Sequence, residues 1–238
     1  MRIKGLLACL TLLFCTLGLA GCGDFDTEIK QINAGVESLS ALENGHILMT
    51  AHTAAENGLV QGYDADYTYE YRYRIDLRTF NFVAEKRNSL TGNYIEPPYR
   101  VVDAHKYDLA TGVEDEEYEG KIGAFPDLLS FFFKAGLKSG YVGSVETLSD
   151  AEHPDWQGWR VHKNDKYIKR VNSSRSKDGA DGLMLEHYVD YWLDSAGVLV
   201  RMDYFSRDSI TVDEVSDEIT QLYIFEMLDY NNPEIADF

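Results

Sequence analysis

Among the 238 residues, six histidines (His46, His52, His105, His153, His162 and His187) and 40 Asp or Glu residues have the widest chemical reach. Histidine can ligate a metal or move protons near neutral pH. The spacing supplies no His-Glu-x-x-His pair, because Glu186-His187 is followed by Tyr188-Val189-Asp190 without a second histidine. No serine stands in a Gly-x-Ser-x-Gly elbow, and no glycine-rich phosphate loop occurs. So many carboxylates guarantee chance neighbours, and the sequence selects no acid and base pair from them. Between Thr111 and Gly120 the run Glu114, Asp115, Glu116, Glu117 and Glu119 offers oxygen ligands. It lacks the spacing and turn glycine of a calcium loop and reads as a solvated charged loop. On these residues the expectation is a non-catalytic protein with no metal and no cofactor.

Cys22 carries a different chemistry. Arg2 and Lys4 precede an apolar run from Gly5 to Leu19, and Leu19-Ala20-Gly21-Cys22 closes it. That is the layout of a secretory signal, and the run is shorter than the roughly 20 apolar residues that span a bilayer. The tetrapeptide resembles the lipobox of bacterial lipoproteins, which implies diacylglycerol on the Cys22 sulfur and cleavage just before it. Cys9 and Cys15 would leave with the signal, so the mature chain could form no intramolecular disulfide. With Gly23 second and Asp24 third, the resemblance implies the outer membrane in a didermic host and the cell membrane in a monoderm. A formal net charge of −18 repels phosphate backbones and anionic bilayers alike. Nucleic acid is excluded as a partner, and membrane association falls to the lipid.

The rest of the chain must form a core large enough to position any site. Phe25, Ile29, Ile32, Val36, Leu39 and Leu42 recur every three or four residues, the stripe of an amphipathic helix. Asp24 or Asp26 could cap its start, and Asn44-Gly45 could stop it. A strand near His46 to Thr53 is expected next. Tyr67, Tyr69, Tyr71, Tyr73, Ile75 and Leu77 then alternate with polar residues, the period of a half-exposed antiparallel strand. Phe80, Phe82 and Ala84 fall on its partner, and a single strand from about Tyr99 to Tyr107 completes a four-strand meander. Pro126 suits the first turn of a short helix over Leu128 to Lys134. Later strands are expected at Val142 to Leu148, Trp156 to His162, Leu183 to Leu193, Val198 to Ser206 and Ile219 to Tyr230. Asp194 to Gly197 is a hairpin turn, and Ser173 to Gly182 a polar loop.

Sixteen tyrosines, four on one strand face, suit a surface that is apolar yet intermittently wet. The expected ligand groove comprises Tyr67, Tyr69, Tyr71, Tyr73, Phe80, Phe82, Phe131, Phe132, Tyr191, Trp192, Tyr204 and Phe225. The competing reading of each residue is the inward face of a sheet packed on its helices.

The order of elements is similar to that of the lipoprotein-carrier half-barrel superfamily, the LolA/LolB and LppX/LprG type. Three stretches carry the likeness. They are Tyr67 to Phe82, the hairpin Tyr188-Val189-Asp190-Tyr191-Trp192-Leu193-Asp194 with Gly197-Val198-Leu199-Val200-Arg201-Met202, and Ile219 to Phe225 with Asp229-Tyr230-Asn231. The resemblance implies acyl chains held between a curved sheet and its helices, with no catalytic motif to carry over.

The expected fold is α+β: a curved antiparallel half-barrel of about 8 to 11 strands, with an N-terminal amphipathic helix and a short helix on the concave side. The expected organisation is a signal peptide over 1–21, a lipidated anchor over 22–25 and one domain over 26–238. The leading function is an exported, membrane-anchored lipoprotein that binds a lipid or other apolar molecule. A cell-envelope interaction or sensory module with a closed core and acidic surface is the alternative, and a glycan hydrolase using two carboxylates a third. Replacing Cys22 by Ala is expected to abolish incorporation of a radiolabelled fatty acid and to release the protein from membranes. Retained label would contradict the anchor.

Overall fold

The structure, a computed structural model, describes residues 25–59, 65–76, 79–121, 126–177, 182–212 and 214–235. The signal over 1–21 and the Cys22 attachment site lie outside the described residues. The first element is α1 (Asp26–Ser38), continued by a 3-10 turn at Leu39–Ala41. Its stripe is buried as the spacing requires, at Ile29, Ile32, Val36, Leu39 and Leu42. Phe25 occupies the N-cap position without a side-chain cap, and Asn44-Gly45 opens the first strand instead of stopping the helix.

Ten strands follow: β1 (Asn44–Ala55), β2 (Ala65–Asp76), β3 (Thr79–Asn88), β4 (Tyr99–Val102), β5 (His105–Asp108), β6 (Val142–Leu148), β7 (Gln157–Lys163), β8 (Gly182–Leu193), β9 (Leu199–Val212) and β10 (Val215–Tyr230). They form one open, curved antiparallel sheet in the order β5-β4-β3-β2-β1-β10-β9-β8-β7-β6. The chain steps outward from β1 to one edge, crosses through α2 (Asp127–Phe133) to the other, and returns to pair β10 with β1.

Two further expectations are corrected. The single strand over Tyr99 to Tyr107 is a hairpin, folded at Asp103 and Ala104 with φ of 50° and 70°. Two positive φ values match a tight hairpin, and the non-glycine residues conceal it in the sequence. The polar stretch expected as a loop from Ser173 begins inside a third helix, α3 (Asp165–Lys177).

Alternation splits the sheet into two chemically distinct faces. Ile47 and Met49, Tyr71 and Tyr73, Phe80 and Phe82, Val161, Tyr191, Met202 and Phe225 point inward. They form one core with Ile32 and Leu39 beside α1, and with Leu129 and Phe132 of α2. Phe133 meets Tyr73 and Phe80 edge-on at 5.3 and 5.7 Å between centroids, and Phe132 stacks on Phe225 at 5.8 Å. On the outer face Arg160 clamps Asp190 and Arg201 clamps Asp203, each through two hydrogen bonds of 2.8 to 2.9 Å. Asp190 and Asp203 are register partners, so these two arginines also prevent a direct clash of like charges.

Gly45 faces Tyr73 across β1 and β2, and a Cβ there would lie 2.6 Å from the fully buried tyrosine ring. Gly45→Ala is expected to lower stability by about 1–3 kcal/mol through overpacking. Urea unfolding measures this, and an unchanged midpoint would contradict the close approach.

Candidate functional site

A cavity of about 690 Å³ lies above β8 and β9, between α2, the segment 134–141 and α3. Val189, Tyr191 and Met202 form a buried apolar floor. Phe131 and Arg170 stand at exposed positions of the lining, so the cavity opens to solvent between the two helices. Volumes of roughly 300–1,000 Å³ take drug-sized ligands.

The walls are held by polar bonds. Asn33 of α1 exchanges two hydrogen bonds with the Leu137 backbone, at 2.6 and 3.1 Å, and the Tyr191 hydroxyl donates to the Ala135 carbonyl at 3.0 Å. Asn164 caps α3 by accepting from the Tyr167 amide, while its side-chain amide donates to the Gly140 and Val142 carbonyls. Asn172 pairs with both backbone groups of Met184. Arg175 makes bonds of 2.7 and 3.3 Å to the Asp208 carboxylate. None of α3 is fully buried, so these contacts position it in place of apolar packing.

The electrostatics invert those of the whole chain. Lys134, Lys138, Lys163, Arg170 and Arg175 line the cavity, and no acidic residue is among the lining. Burial lowers the Lys163 ammonium pKa to about 8. Arg170 donates to the Tyr141 hydroxyl at 2.5 Å. The Tyr141 and Tyr167 rings meet edge-on at 5.7 Å, with Lys163 5.6 Å from the centre of the Tyr167 ring. His187 sits on the floor, 4.4 Å from the Tyr204 ring between centroids. Its Nδ1 bonds the Phe205 carbonyl, an acceptor only, so Nδ1 carries the proton and Nε2 is left as the acceptor of the neutral ring. Burial chiefly, with the Lys163 and Arg175 charges adding to it, lowers its pKa to about 4.

The twelve aromatic residues expected to form a groove do not share one surface. Phe131, Tyr191 and Tyr204 line the cavity. Tyr71, Tyr73, Phe80, Phe82, Phe132 and Phe225 are buried in the core beneath the helices, as the packed-sheet reading holds. Tyr67 and Tyr69 are half-buried farther along β2, with Lys86 4.7 and 4.9 Å from their ring centres. Trp192 alternates with Tyr191 and so faces the other side of the sheet, its ring over Gly158. The cavity's cations and His187 escaped the sequence reading because they converge from β7, α3, β8 and the segment after α2. The usable signal was Asn164-Asp165, a helix start.

A second, more acidic cleft of about 530 Å³ lies between Glu96 and Asp115 at the β4–β5 end. There Lys106 pairs with Asp115 at 3.0 Å and His105 with Glu114 at 2.7 Å. Among the described residues no three His, Cys, Asp or Glu side chains are grouped to hold a metal ion. No described helix is long and apolar enough to cross a membrane.

The chain matches no protein-family description and no curated protein. Among solved structures it is similar to the 12:0-ACP thioesterase from Umbellularia californica, at 10% identity and a TM-score of 0.14, over 80% of this chain and 76% of that one. A tesB protein of Mycobacterium avium subs. paratuberculosis follows, at 9% identity and 0.15, over 85% and 86%. An oleoyl thioesterase from Lactobacillus plantarum matches at 10% and 0.15, over 92% and 88%. With thioesterases among the matches, the expectation of a non-catalytic protein is withdrawn. TM-scores this low assign neither a fold nor an activity to this chain.

Because His187 binds its proton more weakly folded than at the unfolded value of 6.5, stability is expected to fall as pH drops from 6.5 towards about 4. His187→Asn keeps a donor for the Phe205 carbonyl and removes the titration. It should flatten that limb in melting curves recorded across the range. An unchanged limb would show that other groups govern it.

Proposed function

We propose that the protein is an extracytoplasmic lipoprotein, anchored through Cys22, that holds an apolar or amphiphilic molecule between its sheet and its helices. The observation that carries the reading is the open cavity over β8 and β9, floored by Val189, Tyr191 and Met202. Each ligand methylene sheltered there would gain roughly 0.8 kcal/mol, which needs little polar recognition. The order of elements supports the same reading, because it is similar to that of the lipoprotein-carrier half-barrels. The lipobox supports export and anchoring. With anchoring assigned to acyl chains on Cys22, the acidic body needs no contact with anionic headgroups.

Native mass spectra of protein purified from its source, compared with denatured spectra, test the reading. A discrete adduct lost on denaturation and recovered in the organic extract is expected. A clean mass from folded protein, unchanged after incubation with lipids, would contradict it. Ser174 is an exposed residue of α3 that lines the cavity. Ser174→Trp should lower affinity for the recovered molecule about tenfold, equivalent to ~1.4 kcal/mol, without changing the melting temperature.

A further inference from the structure

The cavity's polar lining narrows the kind of molecule that fits. Five cationic side chains surround a half-enclosed space in a chain that carries 22 basic against 40 acidic residues. On the outer face Arg160, Arg201 and Arg87 each hold a carboxylate. Within the cavity Arg175 is paired with the Asp208 carboxylate. Among the described residues Lys163 and Arg170 make no ion pair, although Lys163 is half-buried. Both flank the Tyr141 and Tyr167 ring pair, Lys163 from β7 and Arg170 from α3. A half-buried ammonium is costly until an anion joins it. The cavity also has a separate apolar part, formed by Val189 and Met202 below and Phe131 at the side.

We infer that the cavity takes a single-chain amphiphile with an anionic head, a carboxylate or phosphate, whose head lies between Lys163 and Arg170 and whose chain lies over Val189 and Met202. This rests on the ligand-binding reading above and adds the chemical class of the molecule. A guanidinium can engage two oxygens of such a head side by side, and an ammonium supplies a compact charge beside it. The Tyr141 hydroxyl, already oriented by Arg170, stands beside the same head position as a further donor. The long-chain part would meet no charged group on the floor, because His187 is neutral there above its lowered pKa of about 4.

The test uses purified protein stripped of endogenous ligand and three probes of equal chain length: myristate, myristyl phosphate and myristyl alcohol. Isothermal titration at neutral pH is expected to give at least about tenfold tighter binding for one or both anions than for the alcohol. Myristate alone preferred assigns a carboxylate head, and myristyl phosphate alone preferred assigns a phosphate. Lys163→Met and, at an exposed position, Arg170→Gln should each erase most of that preference, read as the ratio of anion to alcohol affinity in the same variant. Lys86→Gln, a cation on the same sheet face outside the cavity lining, should retain it. Equal affinity for acid and alcohol would overturn this inference and leave the ligand-binding reading intact, whereas failure of all three probes would count against both. Inorganic phosphate binding as tightly as myristyl phosphate would overturn the amphiphile in favour of a simple anion site.

Discussion

Ten antiparallel strands with inward apolar residues create one long hydrophobic face, and three short helices among the described residues must keep water from it. α1 and α2 do so by packing. Their apolar stripes join the sheet in one core, in which Phe132 and Phe133 reach Phe225, Tyr73 and Phe80. α3 buries no residue fully and stands over β8 on polar anchors. The gap between a helix that packs and one that is tethered is the cavity. Its existence follows from the mismatch between the area of the sheet and the cover provided for it.

Charge placement follows the same division. On the outer face arginines and carboxylates meet in bidentate pairs, which places a cation beside each carboxylate of the register pair Asp190 and Asp203. Inside the cavity the balance reverses, with five cations and no acidic residue in the lining and Lys163 disfavoured in its charged form. A net charge of −18 thus describes the body of the molecule and conceals the local field that matters for a ligand.

The elements legible in the sequence are those whose burial has a period. The alternation from Tyr67 to Asp76 announced β2, and the stripe from Ile29 to Leu42 announced α1 with its 3-10 extension, because one face of each is packed. The turn before β9 was legible through Gly197, whose φ is 78°, and Asp194, which accepts from the Ala196 and Val198 amides. α3 was not, because its position depends on Asn172 and Arg175 reaching residues on β8 and β9. The Asp103-Ala104 turn lacks the glycine that usually marks positive φ. The site was half legible for a related reason. Aromatic alternation says which residues point inward, but only the location of the helices decides that Tyr204 lines an opening while Tyr71 is sealed beneath them.

The most direct measurement of the central claim is photocrosslinking with a fatty acid that carries a diazirine near its chain terminus, followed by peptide mapping of the labelled positions. Labels concentrated on Val189, Met202 and Phe131 are the predicted result, since these residues form the apolar part of the cavity. Labels on the opposite sheet face at Leu222 and Ile224, or on exposed Tyr94 and Ile95, with the cavity residues unlabelled, would contradict it.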